Sequence, residues 1–175
     1  PKDWPAYSAA LGPMSQRAQM STLMLANGPK LSFDDFVTKK VETRALMADR
    51  MLPDLLAAAT PSNDMDVKAA VTVLSAWDRR FEADSLGALL FEAWAQAFAP
   101  NNFTNQSNYA VRWSLDDALN TPRGLKDPVT AVAMLKAAVA KTREIHGAID
   151  RPYGDASRFR IGGTSLPGNG GYGNM

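Results

Sequence analysis

Along the chain, blocks with apolar residues every three to four positions alternate with short stretches of Pro, Gly and Asn. Ser15 is placed to cap a first helix that runs to about Asn27, with Gly28 and Pro29 as its stop. Ser32, with Asp35 three residues on, forms an acidic variant of the capping box. Behind it Phe33, Phe36, Val37, Val41, Ala45, Ala48, Leu52, Leu55 and Leu56 keep a 3.6-residue period. That period predicts a long helix, kinked or restarted at Pro53. Residues 58–64 read as a turn, and Val67, Ala70, Val71, Leu74 and Trp77 mark one face of the next helix. A fourth starts near Asp84 or Ser85 and buries Leu89, Leu90, Phe91, Trp94 and Phe98 before Pro100. Residues 101–126 lose the period, apart from one helical turn at 114–119. Asp127 then caps a helix that has proline at its first position. It runs to about His146, with Ala131, Val132, Leu135, Ala138, Val139 and Ile145 inward and Gly147 as its stop. A few residues of strand are predicted around 157–161.

These elements make the fold class mainly α, an irregular helical bundle with at most a few short strands. The expected organisation is an irregular lead-in over 1–14 and a helical domain over 15–147, with an irregular excursion at 101–126. A loop and glycine-rich tail follow over 148–175. Trp77, Phe91, Trp94 and Phe98 sit at helical spacing and read as core. Asp78-Arg79-Arg80 reads as a helix end whose cations face the negative terminus. His146 reads as a dipole partner at the end of its own helix. The glycines between Leu166 and Gly173 read as turn positions that need positive φ.

Composition removes several classes of function. With 46% hydrophobic and 21% charged residues the chain has an ordinary globular make-up. Nineteen basic residues face eighteen acidic ones without a block of like charge, so neither nucleic acid nor an anionic membrane is an expected partner. No apolar run approaches the length of a spanning helix. Cysteine is absent, which excludes disulfides, thiolate metal sites and a cysteine nucleophile within these residues. One histidine cannot build a zinc site or a Ser-His-Asp triad from this chain alone. No cofactor and no metal are expected. The chain opens on Pro1 without a leader, so an excised or processed piece is the expectation.

Four stretches, in order and over nearly the whole chain, resemble the β-subunit of the penicillin and cephalosporin acylase family, which includes acyl-homoserine-lactone acylases. The first is Lys2-Asp3-Trp4-Pro5 followed by Ser15-Gln16-Arg17. The second spans Ser32 to Ala59, with Asp34-Asp35-Phe36-Val37, Thr43-Arg44 and Ala48-Asp49-Arg50. The third is Ala76-Trp77-Asp78-Arg79 leading into Ala88 to Trp94. The fourth joins Thr121-Pro122-Arg123-Gly124-Leu125 and Asp127-Pro128 to Tyr153-Gly154-Asp155 and Leu166 to Gly171.

The resemblance implies an N-terminal-nucleophile hydrolase with an αββα sandwich in the parent enzyme and a periplasmic or secreted location. A hydroxyl nucleophile at the start of the β-chain would use its own α-amino group as base. An Asn side chain and a backbone N–H would hold the oxyanion. Both the nucleophile and that Asn would lie upstream of Pro1. The partners implied are the remainder of the same enzyme's α and β chains and a small-molecule amide substrate.

Arg17 resembles a cavity arginine of the family that braces the oxyanion Asn; the alternative is a solvated first-turn arginine. Asp3 and Trp4 would line the mouth of the site or simply anchor their segment. Tyr7 and Ser8 stand where some relatives place a calcium-binding aspartate, so calcium binding through that ligand is not expected. The competing reading of the whole chain is a self-standing helical binding or scaffold domain without catalysis.

Overall fold

Local capping chemistry sets most of the helix boundaries in the computed structural model, which describes residues 12–26, 28 and 30–173. The Ser15 hydroxyl accepts from the Ala18 amide and opens α1 (Gln16–Ala26). Ser32 and Asp35 complete a reciprocal capping box at α2 (Phe33–Lys40). The Asp64 carboxylate takes the Asp66 and Val67 amides at α4 (Met65–Ala76). Asp127 does the same for Val129 and Thr130 at α7 (Pro128–His146), which Gly147 ends at φ 82°.

Between these lie α3 (Leu46–Ala59), α5 (Ala88–Phe98), α6 (Pro100–Phe103) and, last, α8 (Tyr153–Ala156). Strands β1 (Tyr109–Val111) and β2 (Arg123–Leu125) form one antiparallel pair, with Tyr109 opposite Leu125. Strands β3 (Arg158–Ile161) and β4 (Thr164–Pro167) form a second, with Phe159 opposite Leu166. Two small sheets beside the helices make the fold mainly α. A 3-10 turn at Leu115–Asp117, capped by Ser114, interrupts the irregular stretch before β2.

Several local expectations fail for physical reasons. The period from Phe33 to Leu56 predicts a helix kinked or restarted at Pro53, yet the chain forms two and the break falls at residues 41–45. There the Ala45 amide donates to the Arg79 carbonyl at 3.0 Å, and the Phe81 amide donates to the Thr43 carbonyl at 3.1 Å. The Glu42 carboxylate takes the Thr43 and Arg44 amides at 3.0 Å each. The backbone is satisfied outside a helix, so the helix is abandoned. Pro53 lies on the exposed side of α3, where water can meet the carbonyl left without its donor. As a consequence α2 buries none of its residues, and Phe33 and Val41 are 78% and 64% exposed.

Ile145 is likewise 58% exposed, because α7 there faces a notch shared with Glu92 and Gln96 instead of packed core. At the same helix end the dipole partner is the Arg151 guanidinium, which donates to the His146 carbonyl at 3.2 Å. Burial, and then the Arg151 charge, lower the His146 pKa, the direction opposite to that of a dipole-stabilised imidazolium. Arg79 and Arg80 also find carboxylates, Asp49 and Glu42, rather than the end of α4, which stops at Ala76.

The core is an aromatic file running the length of the bundle. Adjacent ring centroids lie 5.2 Å apart for Tyr153 and Phe81, 5.4 Å for Phe81 and Trp77, and 5.1 Å for Trp77 and Phe91. The file continues at 5.6 Å to Trp94, 4.8 Å to Phe98 and 5.0 Å to Tyr109. Met47, Met51, Leu52, Leu55, Leu90 and Leu135 close around it, fully buried. The Trp94 indole donates to the Ala131 carbonyl at 3.1 Å and so ties α5 to α7.

Candidate functional site

A groove of about 400 Å³ opens where α1 and α2 meet residues 42–45 and the returning tail. Met20, Met24, Leu25, Phe36 and Phe81 give it an apolar lining, while Arg17, Lys39, Lys40 and Arg44 supply cations. Its tail wall is fastened from three sides. The Gly170 amide donates to the Phe81 carbonyl at 2.7 Å, and the Tyr153 hydroxyl donates to the Gly170 carbonyl at 3.1 Å. The Arg17 Nη2 donates to the Gly171 carbonyl at 2.9 Å. Gly170 has φ 83°, a conformation that side-chain-bearing residues rarely adopt. The aromatic file therefore reaches the wall of this groove at Phe81, and Tyr153 braces that wall through Gly170.

The carboxylates around the groove are already engaged by arginines. Asp49 receives the Arg44 fork in two bonds of 2.8 Å and Arg79 at 3.1 Å. The hydrogen bond to Asp49 is also what raises the Arg44 pKa. Glu42 takes the Arg80 guanidinium in addition to its two backbone amides, and Glu82 accepts from the Thr43 hydroxyl. Arg17, Lys39 and Lys40 form no ion pair among the described residues. Lys39 contributes a little to holding down the pKa of Asp35, which its bonds with Ser32 lower much more.

Of the residues singled out in the sequence, Arg17 reaches this groove; Asp3 and Trp4, like Tyr7 and Ser8, lie outside the described residues. Three neighbours gave no warning. Gln16 and Gln19 turn inward from α1: Gln16 Nε2 donates to the Tyr109 hydroxyl at 2.8 Å and Gln19 Nε2 to the Met14 carbonyl at 2.8 Å. Burial pushes the Tyr109 phenol far above its ordinary pKa. Among the described residues Arg50 has no carboxylate partner, and it donates to the carbonyls of Leu119 and of Thr121, the latter at 3.3 Å. Burial lowers its pKa, and it pins the loop before β2 against α3.

The groove can bind and position a ligand through its apolar lining and its cations. Among the described residues no group of His, Asp or Glu could hold a metal ion. Nor is any helix there long and apolar enough to cross a membrane. The family model for penicillin amidase matches residues 1–174. The chain belongs to the penicillin amidase family. It is 29% identical over 174 residues to "Acyl-homoserine lactone acylase PvdQ" of Pseudomonas fluorescens (strain Pf0-1), a match covering 93% of this chain and 22% of the relative. The chain thus spans about a fifth of the length of the curated relative it matches.

Proposed function

We propose that these residues are the helical part of the nucleophile-bearing chain of a linear-amide hydrolase, and that they shape its site without supplying the nucleophile. The observation carrying this reading is the family match over residues 1–174 in a chain that spans 22% of an acyl-homoserine lactone acylase. Acyl-homoserine lactones, β-lactam side-chain amides and acyl peptides are the substrate classes. The hydrolytic step is acyl transfer to a hydroxyl whose base is an adjacent α-amino group, followed by attack of water on the acyl-enzyme. Arg17 serves as a positioning residue, its rigid fork bracing an oxyanion-holding Asn contributed by the rest of the enzyme.

Two measurements test the reading. A precursor containing these residues should cleave itself upstream of them and then release the free acid from a decanoyl-homoserine lactone or a phenylacetyl amide. The purified 175-residue chain should turn over neither. Turnover by that chain, abolished by a substitution within it, would place the nucleophile inside these residues. A precursor that neither matures nor hydrolyses any linear amide would instead favour the scaffold reading.

A further inference from the structure

We infer that the groove between α1 and α2 binds a single-chain carboxylate, with the anionic head at Lys39 and Lys40 and the apolar chain along Met20, Met24 and Phe36. It rests on the amidase reading in one respect, the source of the ligand: such an enzyme releases a carboxylic acid with an apolar body. The groove sets cationic side chains over an apolar lining. Two ammonium groups and the Arg17 guanidinium stand on the groove without an ion-pair partner among the described residues. The acidic groups nearby are occupied: Glu42 by Arg80 and two amides, Asp49 by Arg44 and Arg79, and Asp35 by the α2 cap. An anion entering the groove therefore meets cations that no carboxylate of the described residues holds in a salt bridge.

The apolar part fits as well. A cavity of about 400 Å³, at the roughly 30 Å³ that each water takes in the liquid, has room for about a dozen non-hydrogen atoms. Decanoate has that size. Two methionines on one wall give a surface that adapts to a flexible chain. Lys39 and Lys40 follow Phe36 by three and four residues on α2, so head and chain sites share one helix face.

The test is calorimetric titration of the 175-residue chain with decanoate, 1-decanol and decyltrimethylammonium, each below its aggregation limit. Decanoate should bind about tenfold tighter than decanol, the scale of a charge-assisted contact, and the cationic amphiphile should bind weakest. Raising salt from about 20 to about 200 mM should weaken decanoate alone, since the head contact is solvent-facing. Lys39→Gln with Lys40→Gln should cost decanoate about tenfold and leave decanol unchanged. Met24→Asp should abolish both, with the helical circular dichroism of each variant checked against the parent chain. Equal affinity for decanoate and decanol, or decanoate binding indifferent to the lysine substitutions, would overturn the inference. So would retention on phosphatidylglycerol vesicles without decanoate binding, which would make the groove a membrane contact. Decanoate binding and amide hydrolysis by the precursor are separate readouts, so the failure of one is told apart from the failure of the other.

Discussion

Arg17 shows how a side chain acquires a role from its surroundings. It sits in the first turn of α1, whose Gln16 and Gln19 face inward, so it projects to the exposed side beside the groove. One of its terminal nitrogens is used on the Gly171 carbonyl, which leaves further donors of the fork for another acceptor. If that acceptor is an oxyanion-holding Asn in the matured enzyme, Arg17→Lys should lower kcat about ten- to a hundredfold, with a smaller effect on KM. An ammonium keeps the charge but loses the planar two-pronged geometry. Steady-state kinetics with melting curves in parallel decide the matter. Unchanged kcat makes Arg17 a solvated surface residue, and a large fall in Tm makes it a packing residue. From sequence, Arg17 is visible only through the family resemblance. Gln16, Gln19 and Arg50 are invisible because their partners, Tyr109, Met14 and the 119–121 carbonyls, are mostly remote in the chain.

Elements were legible where their ends are made locally. Ser15, Ser32, Asp64 and Asp127 each bind amides two or three residues on, so α1, α2, α4 and α7 begin where their capping residues stand. The break between α2 and α3 was not legible, because residues 79–81 cause it and the apolar spacing runs through it unchanged. The start of α5 was misplaced for a related reason. Ser85 spends its hydroxyl on the Arg80 carbonyl at 2.7 Å, and Gly87 becomes the cap. A Cβ at Gly87 would lie 2.6 Å from the Trp77 Cβ, inside the aromatic file. Its φ of −102° suits any residue, so crowding is the whole effect of adding a methyl group. Gly87→Ala should therefore destabilise the chain by about 1–3 kcal/mol, measured by urea denaturation. A loss near zero would mean that Trp77 can yield without disturbing Phe81 and Phe91.

At the scale of the molecule, the bundle is held by its aromatic file while its response to pH is set by groups outside that file. Asp35, Asp64 and Asp127 have lowered pKa values, caused first by bonds from Ser32, Lys136 and Thr130 respectively. Their stabilisation is present above the ordinary aspartate range and is lost as pH falls through the lowered values. Glu92 opposes them. Burial beside α7 raises its pKa, so between the ordinary glutamate range and the raised value the folded chain binds more protons than the unfolded one. In that window stability falls as pH rises, and the penalty is complete above the folded pKa. Glu92→Gln isolates the effect, because the three aspartate caps are common to both proteins and cancel in the comparison. The glutamine can keep the bond that Glu92 accepts from Gln96 Nε2 at 3.2 Å. The variant should melt higher than the parent chain at pH 7, and the gap should close below about pH 4, where the carboxyl is neutral in both states. Melting curves across that range test it: equal Tm at pH 7 would mean that water reaches Glu92 freely. A gap that persists in acid would mean that the amide packs better for reasons unrelated to charge.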